Sequence, residues 1–373
     1  MGRRFILHPS RGTARPLTVR KRQVPGAFLR PWGRRQVARP LLDCLNWVPV
    51  EGLSGPSPQF FIGATPVYGD LVLAPMSGYS DLPFRSLCRR FGSALSYTEF
   101  VSAKEIVRGA GLHWKRALTF LPWERPVIIQ IFDGDENRLV EAGLRVAELE
   151  PDVIDVNMGC SVPKIAGRGA GAALLKEPAK IARIFDRLTK AVALPVTGKI
   201  RLGWDQNTRN YLEILAAMQD HGAAMVAVHA RTREQGYSGQ ADWDAIAEIV
   251  QAARIPVLGN GDVQSVRDAE KMKETTGCAA VMVGRGAIGN PWLFQRRERG
   301  AVPLSEKIRT VRYHFQLMED YYGQPLASIL MRKHLTKYFN EHPGVRGYRP
   351  RLVKIESKEE LNDLLELIGQ LVA

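Results

Sequence analysis

Reactive and polar side chains follow several short apolar runs in this sequence. The clearest case is residues 153–156, which are followed within four positions by Asn157 and Cys160. A thiol in a loop can donate a proton to a reacting carbon, or attack as a thiolate where a neighbouring base activates it. Because the sequence offers no obvious Cys/His pairing, Cys160 is interpreted as a proton donor, with a buried structural cysteine as the alternative.

Chemically useful residues recur after most of the other apolar runs. Gln130, Lys199 and His229 each end or follow such a run. Because the βα loops of a parallel barrel build its active site, residues at strand ends are expected to converge. Any one of them could instead be a helix cap or a solvated residue, but a set at seven of eight runs is harder to explain in that way. The remaining members are Pro75, Met76, Ser77, Arg201, Arg231, Asn260, Gly261, Asp262, Gly284 and Arg285.

The last glycine loop, residues 284–289, reads GRGAIG and matches the G-x-G-x-x-G pattern of dinucleotide-binding folds. Its context does not fit, because Pro291 and a charged helical stretch follow it instead of a strand that ends in an acidic residue. Together with residues 259–262, the loop matches the phosphate-binding loops of a barrel, to which Arg285 can add a guanidinium. Glycines that only make tight turns are the alternative.

A phosphate site on the last two loops, together with Lys199 on the fifth run, suggests a flavin mononucleotide at the mouth of the barrel. An ammonium group beside N1 and O2 of the flavin would stabilise the negative charge of the reduced ring. Gln130 and Asn157 can hydrogen-bond to the pyrimidine edge. A surface ion pair is the alternative role for Lys199, although this residue is embedded in an apolar run.

Eight apolar runs must position these side chains, and amphipathic segments alternate with them. The predicted strands are residues 71–74, 95–98, 127–131, 153–156, 196–200, 225–228, 256–258 and 280–283. The main predicted helices are residues 136–149, 178–192, 208–221, 243–252 and 265–275. This alternation predicts an α/β fold, a (β/α)8 TIM barrel over residues 67–302. An open doubly wound sheet is the alternative.

Composition limits the class of protein further. The chain has 373 residues, of which 45% are hydrophobic, and no apolar run approaches the roughly 18 residues that a membrane span needs. Its four cysteines lack the spacing of metal ligands or of a disulfide framework, which fits a reducing cytosol. Much of the net charge of +14 lies in residues 1–62, which are predicted to be a disordered basic extension. A transit peptide and an RNA-binding arm are the alternatives.

Beyond residue 302 the strand pattern stops. Helical periodicity over residues 305–322, 326–341 and 358–371 predicts a C-terminal all-α domain, residues 303–373. Its segment 332–354 carries seven Lys and Arg against Glu341 alone, with aromatic residues between them. Such a segment suits contact with a phosphate backbone and stacking on bases or riboses. A solvated helix face is the alternative.

An ordered series of motifs over roughly residues 67–345 resembles the bacterial tRNA-dihydrouridine synthases. The series comprises LAPMSGYSDLPFR, TEF, NMGCSVPK, GAGAALL, KIRLGWD, VHARTREQGYSG, GNGD and VGRGAIGNPW. One departure is Ser161, at the position where the family more often has a proline after the cysteine. The serine leaves the backbone of this loop less restricted.

The resemblance implies an FMN-dependent enzyme that reduces the C5=C6 bond of particular uridines in tRNA, with NADPH or NADH as reductant. It assigns Cys160 as the donor of a proton to C5, with hydride passing from flavin N5 to C6, and it places Lys199 and His229 in the catalytic site. The implied cofactor contacts are Pro75, Met76, Ser77, Gln130, Asn157, Lys199, His229, Asn260, Gly261, Asp262, Gly284 and Arg285. The implied tRNA contacts are Arg231, Arg332, Lys333 and His334, in a cytoplasmic monomer without metal.

Two other classes of protein fit parts of the pattern. A flavin barrel that acts on a small molecule, such as a dihydroorotate dehydrogenase or an ene-reductase, would share the phosphate loops and the lysine but would not need the basic helices. An RNA-binding protein on a barrel without chemistry would bind tRNA and no flavin. The sequence leaves open which uridine and which tRNAs are modified, which nicotinamide is preferred, and whether residues 1–60 belong to the mature protein.

Overall fold

The computed structural model describes residues 57–109 and 113–372, so most of the predicted extension over residues 1–62 lies outside the described part. Strand β1 (Phe60–Ile62) forms an antiparallel hairpin with β2 (Thr65–Val67). Phe60 and Ile62 are buried in the core cluster that also contains residues of the barrel strands. The last three residues of the predicted extension, Phe60–Ile62, therefore form a strand. A hairpin this short has no periodic pattern from which the sequence could predict it.

The barrel strands run parallel, and each of the eight predicted strands is confirmed with ends that differ by at most two residues. The strands are β3 (Leu71–Leu73), β4 (Ser96–Tyr97), β5 (Val101–Ser102), β6 (Val127–Phe132), β7 (Val153–Met158), β8 (Val196–Arg201), β9 (Val226–His229), β10 (Val257–Asn260) and β11 (Ala280–Val283). β4 and β5 share one barrel position, because both pair with β6. The spatial order β3-β11-β10-β9-β8-β7-β6-β4 follows the chain around the barrel. Across the seam between β3 and β4, the Ala94 amide donates to the Leu71 carbonyl at 2.8 Å.

Helices follow the strands as a TIM barrel requires. They are α1 (Leu82–Arg90), α2 (Ala103–Arg108), α3 (His113–Leu118), α4 (Glu136–Ala147), α5 (Pro163–Ala166), α6 (Pro178–Ala191), α7 (Tyr211–Gln219), α8 (Trp243–Ala252) and α9 (Val266–Thr276). Side-chain caps fix several of their starts: Asp135 accepts from the Arg138 amide at 2.9 Å, and Ser265 accepts from the Asp268 amide at 3.0 Å. The caps and the amphipathic pattern explain why these helices could be located in the sequence.

The barrel interior is layered from apolar to polar towards the carboxyl ends of the strands. Ile128, Val153 and Leu258 belong to the apolar core cluster. Two residues further along the same strands come Gln130, Asp155 and Asn260, which are polar. Because side chains two apart on a strand share a face, the polar row lies directly above the apolar one. This polar row forms the floor of the barrel mouth.

The C-terminal part is all helical, as predicted. Its helices are α10 (Leu304–Tyr322), α11 (Leu326–Tyr338), α12 (Arg349–Leu352) and α13 (Lys358–Gly369). They belong to the same compact unit as the barrel, and α10 reaches it through the Tyr322 hydroxyl, which donates to Asp81 at 3.1 Å. The division between two domains at residue 303 stays a prediction. No helix in the described part of the chain is long and apolar enough to cross a membrane.

Candidate active site

Cys160 lies in the loop after β7, and the side chain of Asn157 holds that loop. Oδ1 of Asn157 accepts hydrogen bonds from the backbone amides of Gly159 at 3.2 Å and of Cys160 at 2.9 Å. The Cys160 carbonyl accepts from the Ala172 amide at 3.1 Å. Gly171 has a φ of +59°, and a Cβ at this position would come within 2.9 Å of the Cys160 carbonyl oxygen. The loop is therefore packed closely enough that this position requires glycine.

The half-buried Cys160 side chain is a thiol rather than a thiolate at neutral pH. Burial raises the pKa of Cys160 above its ordinary value, although the Val162 amide and the charge of Arg201 act in the opposite direction. A protonated thiol can donate a proton, whereas a nucleophilic cysteine needs the thiolate. The electrostatics of this loop therefore favour the proton donor over the nucleophile.

Arg201 connects the Cys160 loop to the loop after β9. The sequence suggested no role for this residue beyond its place at a strand end. Its Nε donates to the Gly159 carbonyl at 2.8 Å, and its Nη1 donates to the carbonyls of Thr232 at 2.8 Å and Gly236 at 2.9 Å. The side chain is almost completely buried. A guanidinium group suits this connection, because its planar set of N–H donors can hydrogen-bond to several carbonyls in fixed geometry.

Lys199 lies beside the Cys160 loop, because Asn157 and Lys199 are partners across β7 and β8. Its Nζ donates to Oδ1 of Asn260 at 3.1 Å. Burial, and after it the charge of Arg201, lowers the pKa of Lys199 to about 7, although Asp155 acts in the opposite direction. An ammonium group in such a position gains from any ligand that brings negative charge.

His229 ends β9, and the parallel ladder pairs it with Arg201 on β8 and Asn260 on β10. Its side chain is only 8% exposed. Burial lowers its pKa well below the ordinary value, and the charges of Lys199, Arg201, Arg231 and Arg285 lower it further. The imidazole is therefore neutral near pH 7, so that one ring nitrogen donates and the other accepts. The predicted positions of Lys199 and His229 thus meet at one rim.

A buried carboxylate that sequence reasoning did not select lies below this rim. Asp155 is fully buried, and its cross-strand partners are Gln130 and Thr197. Nε2 of Gln130 and the hydroxyl of Thr197 both donate to it at 2.7 Å. Burial raises the pKa of Asp155 to about 6. The signal in the sequence was an acidic residue inside an apolar strand, a feature that a search of strand ends does not reveal.

The two glycine loops after β10 and β11 lie close to each other and to the first βα loop. A Cβ on Gly284 would be 3.6 Å from Sδ of Met76, so the eighth loop lies against the residues after β3. The carboxylate of Asp262 accepts from Arg231 at 2.6 Å and from the Ala241 amide at 2.8 Å. Arg285 lies 3.9 Å from that carboxylate and is 56% exposed. Its guanidinium is therefore available to an anion at these loops.

Arg231, an RNA contact by the resemblance, lies almost entirely inside the protein. Its side chain is 2% exposed. Besides its ion pair with Asp262, it donates hydrogen bonds to the Ser238 carbonyl at 3.0 Å and to the Gly239 carbonyl at 2.6 Å. The guanidinium is used to hold the loop after β9 against the loop after β10. In this structure Arg231 supports the site from within, and its contact with tRNA stays a prediction.

His334, also predicted to contact RNA, is fully buried. Its ring packs 5.0 Å from the ring of Phe84 and 4.7 Å from that of His314, measured between centroids. Burial lowers its pKa well below the ordinary value, and His314 and Lys333 lower it further. In this structure the imidazole is neutral and enclosed by other side chains, so it offers no surface to a nucleic acid, and its contact with tRNA stays a prediction.

Arg332 and Lys333, the other predicted tRNA contacts on α11, are engaged within the protein. Arg332 donates through Nε and Nη2 to the Ile355 carbonyl at 2.9 and 2.8 Å. Lys333 donates to the Gly78 carbonyl, in the first βα loop. The exposed basic residues of the segment are Lys337, Arg346, Arg351 and Lys354. These four offer their charge to solvent, and the sequence pattern did not separate them from the inward-facing ones.

The described residues contain no group of three or more His, Cys, Asp or Glu side chains that could hold a metal ion. Of the cysteines described, Cys88 and Cys278 are buried and Cys160 is half-buried.

The fold and the site define an α/β-barrel protein whose reactive side chains meet at the carboxyl ends of the strands, the usual place of a barrel enzyme's active site. The model of the family "Dihydrouridine synthase (Dus)" matches residues 72–372. The chain belongs to this family, as its motifs indicated.

Relatives from several bacteria match most of the chain. It is 39% identical over 318 residues to the probable tRNA-dihydrouridine synthase 1 of Synechocystis sp., which covers 82% of this chain and 88% of that protein. It is 39% identical over 281 residues to a probable tRNA-dihydrouridine synthase of Rhizobium leguminosarum, covering 74% and 87%. It is 36% identical over 306 residues to tRNA-dihydrouridine synthase B of Pseudomonas aeruginosa, covering 80% and 92%.

Proposed function

We propose that this chain is a tRNA-dihydrouridine synthase that binds FMN at the barrel mouth and reduces the C5=C6 bond of uridines in tRNA. NADPH or NADH is the reductant. The observation that carries the proposal is the pairing of Asn157 with Lys199, which puts the loop of a protonated thiol beside a half-buried amine. Membership of the dihydrouridine synthase family and the names of the relatives support the same reaction.

The residues at the mouth fit the chemistry of FMN. Gln130 and Asn157 each use one side-chain N–H within the protein, so each amide has a second N–H for the pyrimidine edge of the flavin. Lys199 uses one donor on Asn260 and, when charged, has two more. The backbone of the glycine loops, with Arg285 beside them, suits a phosphate monoester.

The electrostatics of the mouth agree with an anionic ligand. Lys199 and Arg201 are two half-buried or buried cationic side chains close to the neutral imidazole of His229. Burial lowers the pKa of Lys199 and of His229, and the charge of Arg201 lowers both further. Cations in such proximity destabilise one another unless negative charge is added. A phosphate group and a reduced flavin ring both bring that charge.

When bound, FMN would supply a hydride to C6 of the uracil ring. Cys160 delivers the proton to C5 of the uracil. Burial raises the pKa of the thiol, so the sulfur is still protonated when the hydride is transferred. The Val162 amide and Arg201 both act to lower the pKa of this thiol, so they stabilise the thiolate that remains. Solvent then returns a proton to the sulfur. Lys199 stabilises negative charge at the pyrimidine edge during the transfer.

Recognition of the tRNA is assigned to the exposed basic residues of the C-terminal helices. A uridine in folded tRNA must leave its base stack to enter the barrel mouth. The protein must therefore bind the RNA backbone at another place. Lys337, Arg346, Arg351 and Lys354 are exposed and can provide salt-dependent phosphate contacts. A flavin barrel that acts on a small molecule would have no use for this surface.

The proposal is tested by mapping dihydrouridine by mass spectrometry in tRNA from cells that lack the chain. We expect dihydrouridine to be missing at one or more positions, to return with the wild-type gene, and to stay missing with Cys160→Ala. Unchanged tRNA in the deletion strain, where no second enzyme covers the same positions, would contradict the assigned substrate. Full restoration by Cys160→Ala would contradict the assigned proton donor.

A further inference from the structure

A chain of hydrogen bonds connects the barrel interior with the loop that carries Cys160. It begins at the backbone amides of Gly159 and Cys160, which donate to Oδ1 of Asn157 at 3.2 and 2.9 Å. Nδ2 of Asn157 donates to Oε1 of Gln130 at 2.9 Å, and Nε2 of Gln130 donates to Asp155 at 2.7 Å. Every donor points in the same direction, from the loop towards the carboxylate.

The two ends of this chain determine how both side-chain amides are oriented. Backbone amides can only donate, so Asn157 must turn Oδ1 towards them. An ionised carboxylate can only accept, so Gln130 must turn Nε2 towards Asp155. If either side-chain amide were rotated by 180°, two donors or two acceptors would face each other and the hydrogen bond would be lost. Asp155 therefore sets the orientation of Gln130, whose Oε1 in turn accepts from the Asn157 side chain that holds the Cys160 loop.

The burial of Asp155 requires a reason, since a buried carboxylate is costly to maintain. The side chain is fully buried, and the hydrogen bonds found for it in the described structure come from the neutral donors Thr197 and Gln130. An apolar residue of similar size would avoid that desolvation cost. Costly buried polar groups are characteristic of functional sites, and Asp155 is the cross-strand partner of Gln130, one of the predicted flavin contacts.

We propose that Asp155 is a positioning residue, which through Gln130 and Asn157 holds the Cys160 loop in place and leaves the free N–H of each amide for the ligand at the barrel mouth. The second half of this statement rests on the proposed function. The first half concerns only the chain itself, and it can be tested without flavin or tRNA.

Three variants separate this role from charge and from packing. Asp155→Leu removes the acceptor with little change in volume. Asp155→Asn removes the charge but keeps an oxygen for Gln130, because the backbone amides at the far end prevent reversal and the Thr197 hydroxyl can accept from the new amide. Thr197→Val is the matched control, since it breaks the other hydrogen bond of Asp155 without interrupting the chain to Cys160.

The primary measurement is the rate at which iodoacetamide alkylates Cys160 in the apoprotein, followed by mass spectrometry of its peptide. A loosened loop opens more often, so Asp155→Leu is expected to raise the rate about tenfold. Asp155→Asn and Thr197→Val should stay within about twofold of wild type. An unchanged rate in Asp155→Leu would overturn the proposal. So would equal increases in all three variants, because packing alone would then explain them.

Gln130→Met provides a second route if Asp155→Leu does not fold. It breaks the middle link while Asp155 keeps its hydrogen bond from Thr197. The alkylation rate should again rise about tenfold, and no increase would refute the chain of hydrogen bonds. Where both single variants fold, the double variant should alkylate no faster than either, since residues that act as one unit are not additive.

Turnover with flavin, NADPH and tRNA provides the functional readout. Asp155→Leu should lower kcat about 100-fold with little change in KM for tRNA, because a proton donor displaced by about 1 Å loses that much. The kcat of Asp155→Asn should be within about threefold of wild type. If its kcat were instead as low as that of Asp155→Leu, the charge of Asp155 and not the orientation of the amides would be what matters. If wild type makes no dihydrouridine but the alkylation pattern holds, the proposed function fails and the positioning role of Asp155 remains.

Discussion

Nζ of Lys199 donates to Oδ1 of Asn260 at 3.1 Å, and Nδ2 of Asn260 donates in turn to the Met282 carbonyl at 2.7 Å. The amine on β8 is thus held by the next strands of the barrel, and within the described residues no carboxylate forms a salt bridge with it. Burial and the charge of Arg201 lower its pKa to about 7. The barrel keeps a positioned amine, and a ligand with negative charge would favour its protonated form.

Lys199→Met should weaken FMN binding while stabilising the apoprotein. Above pH 7 the folded state has released a proton that the unfolded chain keeps up to its ordinary pKa of about 10.5, so wild-type stability should rise with pH across this window. The variant lacks this cost, and at pH 8 its free energy of unfolding should be about 1–2 kcal/mol higher. Thermal melting of apoprotein and flavin retention on gel filtration measure the two effects. Lys190→Met is the control, and unaltered flavin affinity in Lys199→Met would count against the assigned role.

Cys160→Ala should leave a yellow, folded protein that makes almost no dihydrouridine. Removal of a general acid typically costs about 10²- to 10⁴-fold in turnover, whereas Cys160 is not among the proposed flavin contacts. Turnover with tRNA and the flavin absorbance of the purified variant are the measurements. Cys278→Ala serves as the control, because that thiol is buried and lies outside the loop. Normal turnover in Cys160→Ala would require another proton donor.

Arg351→Gln combined with Lys354→Gln should raise KM for tRNA about tenfold at moderate salt. Each lost phosphate contact also reduces the slope of log affinity against log salt by about one. Lys190→Gln, which neutralises another exposed lysine, should change neither quantity. Oxidation of NADPH by oxygen should stay at the wild-type rate in both variant proteins, and parallel loss of this activity would point to misfolding instead.

Acid should destabilise the interface between the barrel and the C-terminal helices through two buried histidines. Burial lowers the pKa of His314 to about 3 and that of His334 well below its ordinary value. Below about pH 6.5 the unfolded chain takes up protons that these rings do not, so stability falls with falling pH. In His334→Leu the unfolding free energy relative to wild type should shift by about 2 kcal/mol in favour of the variant between pH 7 and pH 5. A constant difference across this range would show that His334 is not held neutral.

The strands and the residues at their ends were predictable because they depend on local patterns. Buried parallel strands read as apolar runs, and the carboxyl end of each strand fixes where Asn157, Lys199 and His229 must lie. Their convergence therefore followed from the order of the strands. The hairpin at Phe60 escaped prediction, because its short strands give no periodic signal.

The inward or outward direction of a long basic side chain was not predictable from composition. Arg231 and His334 lie in segments rich in positive charge, yet both are buried. A buried arginine or histidine that contacts interior partners can have the same neighbours in the sequence as one that is exposed to solvent. Asp155 was overlooked for the converse reason. Its role depends on Gln130 and Thr197, which are brought to it only by the register of three neighbouring strands.

The most direct test of the central claim is a single turnover with purified protein loaded with FMN and reduced in the absence of oxygen. Mixed with unmodified tRNA, the reduced wild-type protein should regain the colour of oxidised flavin, and one uridine per flavin should gain two hydrogens. Cys160→Ala should remain reduced on the same timescale. If the wild-type flavin stays reduced in the presence of tRNA, or is reoxidised without any dihydrouridine in the RNA, the proposed reaction is wrong.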